Sequence, residues 1–126
     1  MKTVLIVDDE RDAVDVLSLM LEMSGFAVMV AYNGIQATEC IARQRPDIIL
    51  SDFMMPGMDG IALCRHLKSD AGTLGIPFVL MTAAANVEQD APVDIIVTKP
   101  VDINRLLEVF AHFDQVVGKP PLRLAR

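Results

Sequence analysis

Val4-Leu5-Ile6-Val7-Asp8-Asp9 starts as an unbroken aliphatic run and ends on two carboxylates. A run without polar alternation suits a strand covered on both faces, as in parallel sheets. The period then changes. From about Asp12 to Ser24, Val14, Leu17 and Leu21 fall on one stripe of a helix, and Gly25 supplies the stop. The same alternation repeats along the chain. Phe26 to Ala31 reads as a second strand, ended by the turn signal Asn33-Gly34. Ile35 to Gln44 reads as a second helix closed by Pro46, and Asp47-Ile48-Ile49-Leu50 as a third strand that runs into Ser51-Asp52. Gly60 to about Lys68 reads as a third helix, and Pro77 to Met81 as a fourth strand. The segment from Ala83 to Pro92 holds at most about two turns of helix before Pro92 ends it. Val93 to Val97 reads as a short fifth strand. Ile103, Leu106, Leu107, Phe110 and Val117 form the stripe of a last helix from about Asp102, and Gly118-Lys119-Pro120-Pro121 ends it. Strands that alternate with helices specify an α/β fold: a doubly wound, five-stranded parallel sheet with a shortened or irregular fourth helix.

Composition agrees with one such domain. At 126 residues the chain is long enough for a single core, with residues 1–118 as the domain and 119–126 as a tail or the start of a linker. Hydrophobic residues make up 52% of it, which excludes a disordered chain. Aromatics are only 5% and tryptophan is absent, so aliphatic residues and eight methionines are expected to fill the interior. The net charge of −6 argues against direct nucleic-acid binding. No apolar run approaches the roughly 20 residues that span a bilayer. Cys40 and Cys64 fall in helical stretches without metal-type spacing, which suits buried thiols and a cytoplasmic location.

In an open parallel sheet, ligands bind beyond the carboxyl ends of the strands. The residues there are Asp8 and Asp9 after the first strand, Asp52 after the third, Thr82 after the fourth and Lys99 after the fifth. Three carboxylates brought close together need a cation, and oxygen donors without thiolate or imidazole favour Mg²⁺, with Mn²⁺ as a substitute. Such a metal would neutralise a phosphoryl donor while a carboxylate attacks phosphorus, and Asp52, following a central apolar strand, is the best placed nucleophile. Thr82 would donate to a phosphoryl oxygen, and the Lys99 ammonium would supply a point charge. Taken singly these residues have plainer readings. Asp8 or Asp9 could cap the next helix, Thr82 could be a turn hydroxyl and Lys99 a solvated lysine.

The stretches Val4-Leu5-Ile6-Val7-Asp8-Asp9-Glu10, Pro46 through Gly60 (PDIILSDFMMPGMDG), Met81-Thr82-Ala83 and Lys99-Pro100 occur together in this order. Over roughly residues 2–117 the chain thereby resembles the receiver domains of two-component response regulators, small CheY-like phosphoacceptor modules. The resemblance implies a flavodoxin-like strand order 2-1-3-4-5, Asp52 as phosphoacceptor, and a metal held by Asp8, Asp9, Asp52 and the main-chain carbonyl of Met54. It implies Thr82 as a switch hydroxyl, Lys99 as a phosphate-binding lysine and a cis Lys99-Pro100 bond. The donor it implies is a phosphohistidine on a sensor histidine kinase or a histidine phosphotransfer protein. Such modules are switches, catalysing only their own phosphorylation and dephosphorylation, and this one is expected to be a monomer or weak dimer.

Two departures cluster on one side. Family members usually carry an aromatic residue three positions before the lysine, where this chain has Ile96. The connection from Thr82 to Lys99 is also shorter than is usual, and the shortage falls in the Ala83–Pro92 segment. Both put the usual threonine–aromatic relay in question and keep open an alternative, a degenerate receiver that acts as a phosphorylation-independent interaction module. A haloacid-dehalogenase-type enzyme is less suited, because it needs two aspartates one residue apart after its first strand. A nucleotide-binding domain lacks its Gly-rich fingerprint.

Overall fold

The computed structural model describes residues 2–83, 87 and 90–117. Its elements are β1 (Thr3–Val7), α1 (Arg11–Met23), β2 (Ala27–Ala31), α2 (Gly34–Arg43), β3 (Ile48–Asp52), α3 (Gly60–Lys68), β4 (Phe78–Thr82), β5 (Ile95–Thr98) and α4 (Ile103–Val117). All strand pairs are parallel and the sheet order is β2-β1-β3-β4-β5. The chain moves outward from β1 to β2 and then crosses to β3 on the other side of β1. That crossing makes the topological switch point, where the carboxyl ends of β1 and β3 open a crevice.

Successive strand side chains point to opposite faces, and the aliphatic runs use both. Leu5, Val7, Ile49, Phe78 and Leu80 pack with Ala37 and Ile41 of α2 and Leu63, Cys64 and Leu67 of α3. Val4, Ile6, Ile48, Leu50, Val79 and Met81 pack on the other face with Val14 and Leu21 of α1 and Leu106, Val109 and Phe110 of α4. Phe26 and Phe110 meet edge to face at 5.3 Å, joining the turn after α1 to α4. Gly25 has φ +96°, the left-handed value that a helix stop of this kind requires.

Several expectations need correction. The fifth strand was expected at Val93–Val97 and lies at Ile95–Thr98. Its start is displaced because Asp94 is committed to β4 through its side chain: Asp94 Oδ2 accepts from the Phe78 N–H at 2.7 Å and from Lys68 Nζ at 3.0 Å. Only Met55 and Met81 of the described methionines are buried, while Met23 and Met54 are exposed. Cys64 is buried, but Cys40 is only half-buried. The expected helix between Ala83 and Pro92 falls largely on residues 84–86 and 88–89, outside the described residues, as does the tail from 118; Ala83, Val87 and Asp90–Pro92 themselves are not helical.

Candidate functional site

Every strand that reaches the crevice contributes at least one polar group. Asp8 follows β1 and its N–H donates to the Ala31 carbonyl of β2 at 3.1 Å. Asp52 is the last residue of β3, in register with Met81, and Phe53 N–H donates to the Met81 carbonyl at 3.0 Å. Thr82 ends β4 and its carbonyl accepts from the Lys99 N–H at 3.0 Å, which fixes the backbone of Lys99 just past β5. The Lys99-Pro100 bond is cis, as the resemblance implies.

The side chains converge. Asp8, Asp52 and Thr82 are 3%, 7% and 3% exposed, while Asp9 is exposed at the rim. Carboxylate oxygens of Asp8, Asp9 and Asp52 all lie within 4.8 Å of one another. Lys99 Nζ stands 2.6 Å from Asp52 Oδ1 and 3.9 Å from Asp8 Oδ2. A cavity of about 320 Å³ opens beside Asp9, Asp52, Thr82 and Lys99, lined also by Glu10, Phe53, Met54 and Ala83. The five predicted side chains thus gather at one edge of the sheet, and Met54 is among the residues lining the same cavity.

The plainer capping reading of the acid pair does not hold. The N-cap of α1 is Glu10, without a side-chain cap bond, and Asp8 Oδ1 instead accepts from the Glu10 N–H at 3.0 Å. Glu10 itself was not singled out from the sequence, although it follows the acid pair directly and lines the cavity. Two caps also went unread: Asn33 accepts from the Gln36 N–H and Asp59 from the Ala62 N–H, each at 2.8 Å. An Asn or Asp placed just before an apolar helical stripe was the signal for both.

The electrostatics are unbalanced. Burial pushes the Asp8 carboxyl above its ordinary range, and the charges of Asp52 and Asp9 add to this against the Glu10 N–H and Lys99. For Lys99, burial acts to lower its pKa, but the Asp52 hydrogen bond and the charges of Asp52, Asp8 and Glu10 outweigh it, and the net direction is up. Lys99 thus stays charged, yet one ammonium does not neutralise three neighbouring carboxylates. Hard oxygen donors with an excess of negative charge suit a small divalent cation.

At the position of the expected relay aromatic, Ile96 is 43% exposed on β5 and carries no ring. No helix among the described residues is long and apolar enough to cross a membrane.

The sequence pattern described as response regulator receiver domain matches residues 4–111, and the chain belongs to that family. It is therefore a CheY-like receiver module of two-component signalling, a family of switches that work with histidine kinases. The chain is 38% identical over 111 residues to the phosphate regulon transcriptional regulatory protein PhoB of Pseudomonas aeruginosa, covering 84% of this chain and 48% of that protein. It is 34% identical over 112 residues to the DNA-binding dual master transcriptional regulator RpaA of Synechocystis sp., covering 85% of this chain and 46% of that one. The chain spans about half the length of these curated relatives. Among solved structures, the signal receiver domain of a signal transduction histidine kinase from Syntrophus aciditrophicus superposes with a TM-score of 0.88 at 30% identity, over 95% of each chain.

Proposed function

We propose that the chain receives a phosphoryl group from a phosphohistidine onto Asp52, in a Mg²⁺-dependent reaction. The observation that carries this reading is the meeting of three carboxylates within 4.8 Å, with Lys99 Nζ at 2.6 Å from one of them, at the mouth of an open cavity. Asp8, Asp9, Asp52 and the Met54 carbonyl would hold the metal, and their hard oxygen chemistry fits Mg²⁺, with Mn²⁺ as a substitute. The metal would supply charge neutralisation for the incoming phosphoryl group.

This chain's own residues do the rest. A carboxylate oxygen of Asp52 attacks phosphorus, forming an O–P bond as the N–P bond of the donor histidine breaks and its imidazole leaves. Burial of Asp52 at the end of a fully packed strand holds the nucleophile still, which is the entropic part of catalysis. Lys99, charged and already beside Asp52, moves its ammonium to a phosphoryl oxygen. The Thr82 hydroxyl donates to another and so reports the modification to the β4 end. The donor is a sensor histidine kinase or a histidine phosphotransfer protein, and the domain works in the cytoplasm. Self-catalysed transfer and hydrolysis are the whole chemistry, and the output is a change of shape. The degenerate-module alternative draws on Ile96 and the short connection after β4, and the meeting of all five side chains weighs against it.

The test is incubation with a small phosphodonor and Mg²⁺, followed by intact mass. One phosphoryl adduct is expected on the wild type and none on Asp52→Asn or in the presence of a chelator. An adduct of equal yield on Asp52→Asn would overturn the assignment.

A further inference from the structure

We propose that Gly60 is a positioning residue for the pocket: its lack of a side chain lets the start of α3 close onto the backbone of Asp52 and so sets the place of the Met54 carbonyl. The inference rests on the magnesium-dependent reading above and names a determinant of metal affinity that lies outside the ligand set.

The space at Gly60 is the first observation. A Cβ there would collide with the main-chain oxygen of Asp52, stand 2.7 Å from Leu80 Cδ1 and 3.1 Å from Phe53 Cα. Two of these three neighbours are backbone. The Asp52 backbone has nowhere to go, because β3 pairs with β4 through Asp52 and Met81 and all five β3 residues are buried. A side chain at position 60 must therefore displace the beginning of α3.

What that displacement would move is the second observation. The Gly60 N–H donates to the Phe53 carbonyl at 2.8 Å, and the Phe53 N–H donates to the Met81 carbonyl at 3.0 Å. Residues 53–60 thus form a short loop tied at both ends, with Met55 buried in its middle and Asp59 capping α3 through the Ala62 N–H. Met54 sits between the first tie and the buried Met55, so a shift of either would carry its carbonyl along. Gly34 offers a contrast. A Cβ at Gly34 would meet Met58, its nearest atom being Sδ at 2.7 Å. That neighbour is a side chain, and thioether side chains adapt. Gly75, with only Arg45 Nη2 at 3.7 Å, has room to spare.

Residues that orient a metal's ligands typically change affinity by about 10- to 100-fold when altered. The experiment measures the Mg²⁺ dissociation constant by calorimetry on full-length wild type, Gly60→Ala and Gly75→Ala, with urea unfolding in metal-free buffer alongside. The expected result is at least about tenfold weaker Mg²⁺ binding by folded Gly60→Ala, with Gly75→Ala unchanged. A purely structural glycine would lower stability and leave the affinity of the folded protein as it was, and that result overturns the proposal. If the wild type itself binds no Mg²⁺, the metal reading fails and this inference falls with it.

Should Gly60→Ala not fold, the wild type still decides. Linkage is reciprocal, so if the Gly60–Phe53 tie supports the metal, bound metal must support the tie. Saturating Mg²⁺ is expected to slow hydrogen exchange of the Gly60 amide. The Gly72 amide, bonded to Asp70 Oδ1 at 2.9 Å in a separate turn, serves as reference and should not change. Equal behaviour of the two amides overturns the proposal.

Discussion

At the amino-terminal edge of the sheet charged groups are met by partners, whereas at the carboxyl edge three carboxylates crowd together with one ammonium, that of Lys99, beside two of them. Asp47 Oδ2 accepts from the Thr3 N–H at 2.7 Å, tying β1 to the start of β3. Lys68 Nζ donates to the carbonyls of Leu74 and Ile76, each at 3.1 Å, and to Asp94 Oδ2 at 3.0 Å, so all three of its protons are used. Asp94 also holds the Phe78 N–H, and Lys2 pairs with Asp114 at 3.2 Å. One end is arranged for stability. The other keeps its acids close, and on the proposed reading this crowding would lower the stability of the metal-free fold and favour a cation. The same kind of substitution, a carboxylate made neutral, should therefore have opposite signs at the two ends.

The largest effect is expected at the compensated edge. Asp94→Ala leaves the Phe78 N–H without its acceptor and takes one partner from Lys68, a loss of about 2 kcal/mol in urea unfolding. A loss below about 0.5 kcal/mol, the scale of an ordinary surface change, would break the comparison. Next comes the response to metal. Free Mg²⁺ at about ten times its dissociation constant should stabilise the wild type by about 1.4 kcal/mol, since it binds only the native state. Asp9→Asn, altered at the exposed rim, should melt as a folded protein and lose most of that gain; an undiminished Mg²⁺ shift would remove Asp9 from the ligand set.

A further effect, confined to alkaline pH, concerns Cys64. Burial pushes its thiol from 9.0 up to about 11. The folded state then keeps the proton that the unfolded chain gives up, so stability is complete below about pH 9 and falls as pH rises toward 11. Cys64→Ala should flatten that alkaline decline, and a decline of the same steepness would contradict the buried-thiol origin. In native protein at pH 8, a thiol reagent should label the half-buried Cys40 well before Cys64.

The two edges also differed in how much the sequence disclosed. The carboxyl edge was legible because β1, β3 and β4 each carry an apolar run, so the polar residues that follow it mark places on the crevice: Asp8 and Asp9, Asp52, Thr82. Lys99 was legible by the same logic once β5 was recognised. The amino-terminal edge was not. The start of β5 was misplaced because Asp94 looks like the first polar residue of a strand, and only its distant partners Lys68 and Phe78 make it a side-chain tie. Asn33 reads equally as a turn residue and as a cap, and the choice depends on where α2 packs. Met23 and Met54 are exposed although methionine composition suggested core, since thioether side chains suit both places. Gly60 was visible as a letter in a motif, but its reason, the Asp52 backbone pressed against it, exists only in three dimensions.

Urea unfolding of Asp8→Asn in chelator-containing buffer bears most directly on the contrast between the edges. The substituted amide would keep an acceptor for the Glu10 N–H while removing one of the three crowded charges, whose burial already drives the Asp8 carboxyl toward its protonated form. The variant is expected to be more stable than the wild type by about 1 kcal/mol, the common size of a point substitution but of the uncommon sign. A variant less stable than the wild type would mean that Lys99 already compensates the cluster, and that the carboxyl edge is not held in reserve for a cation.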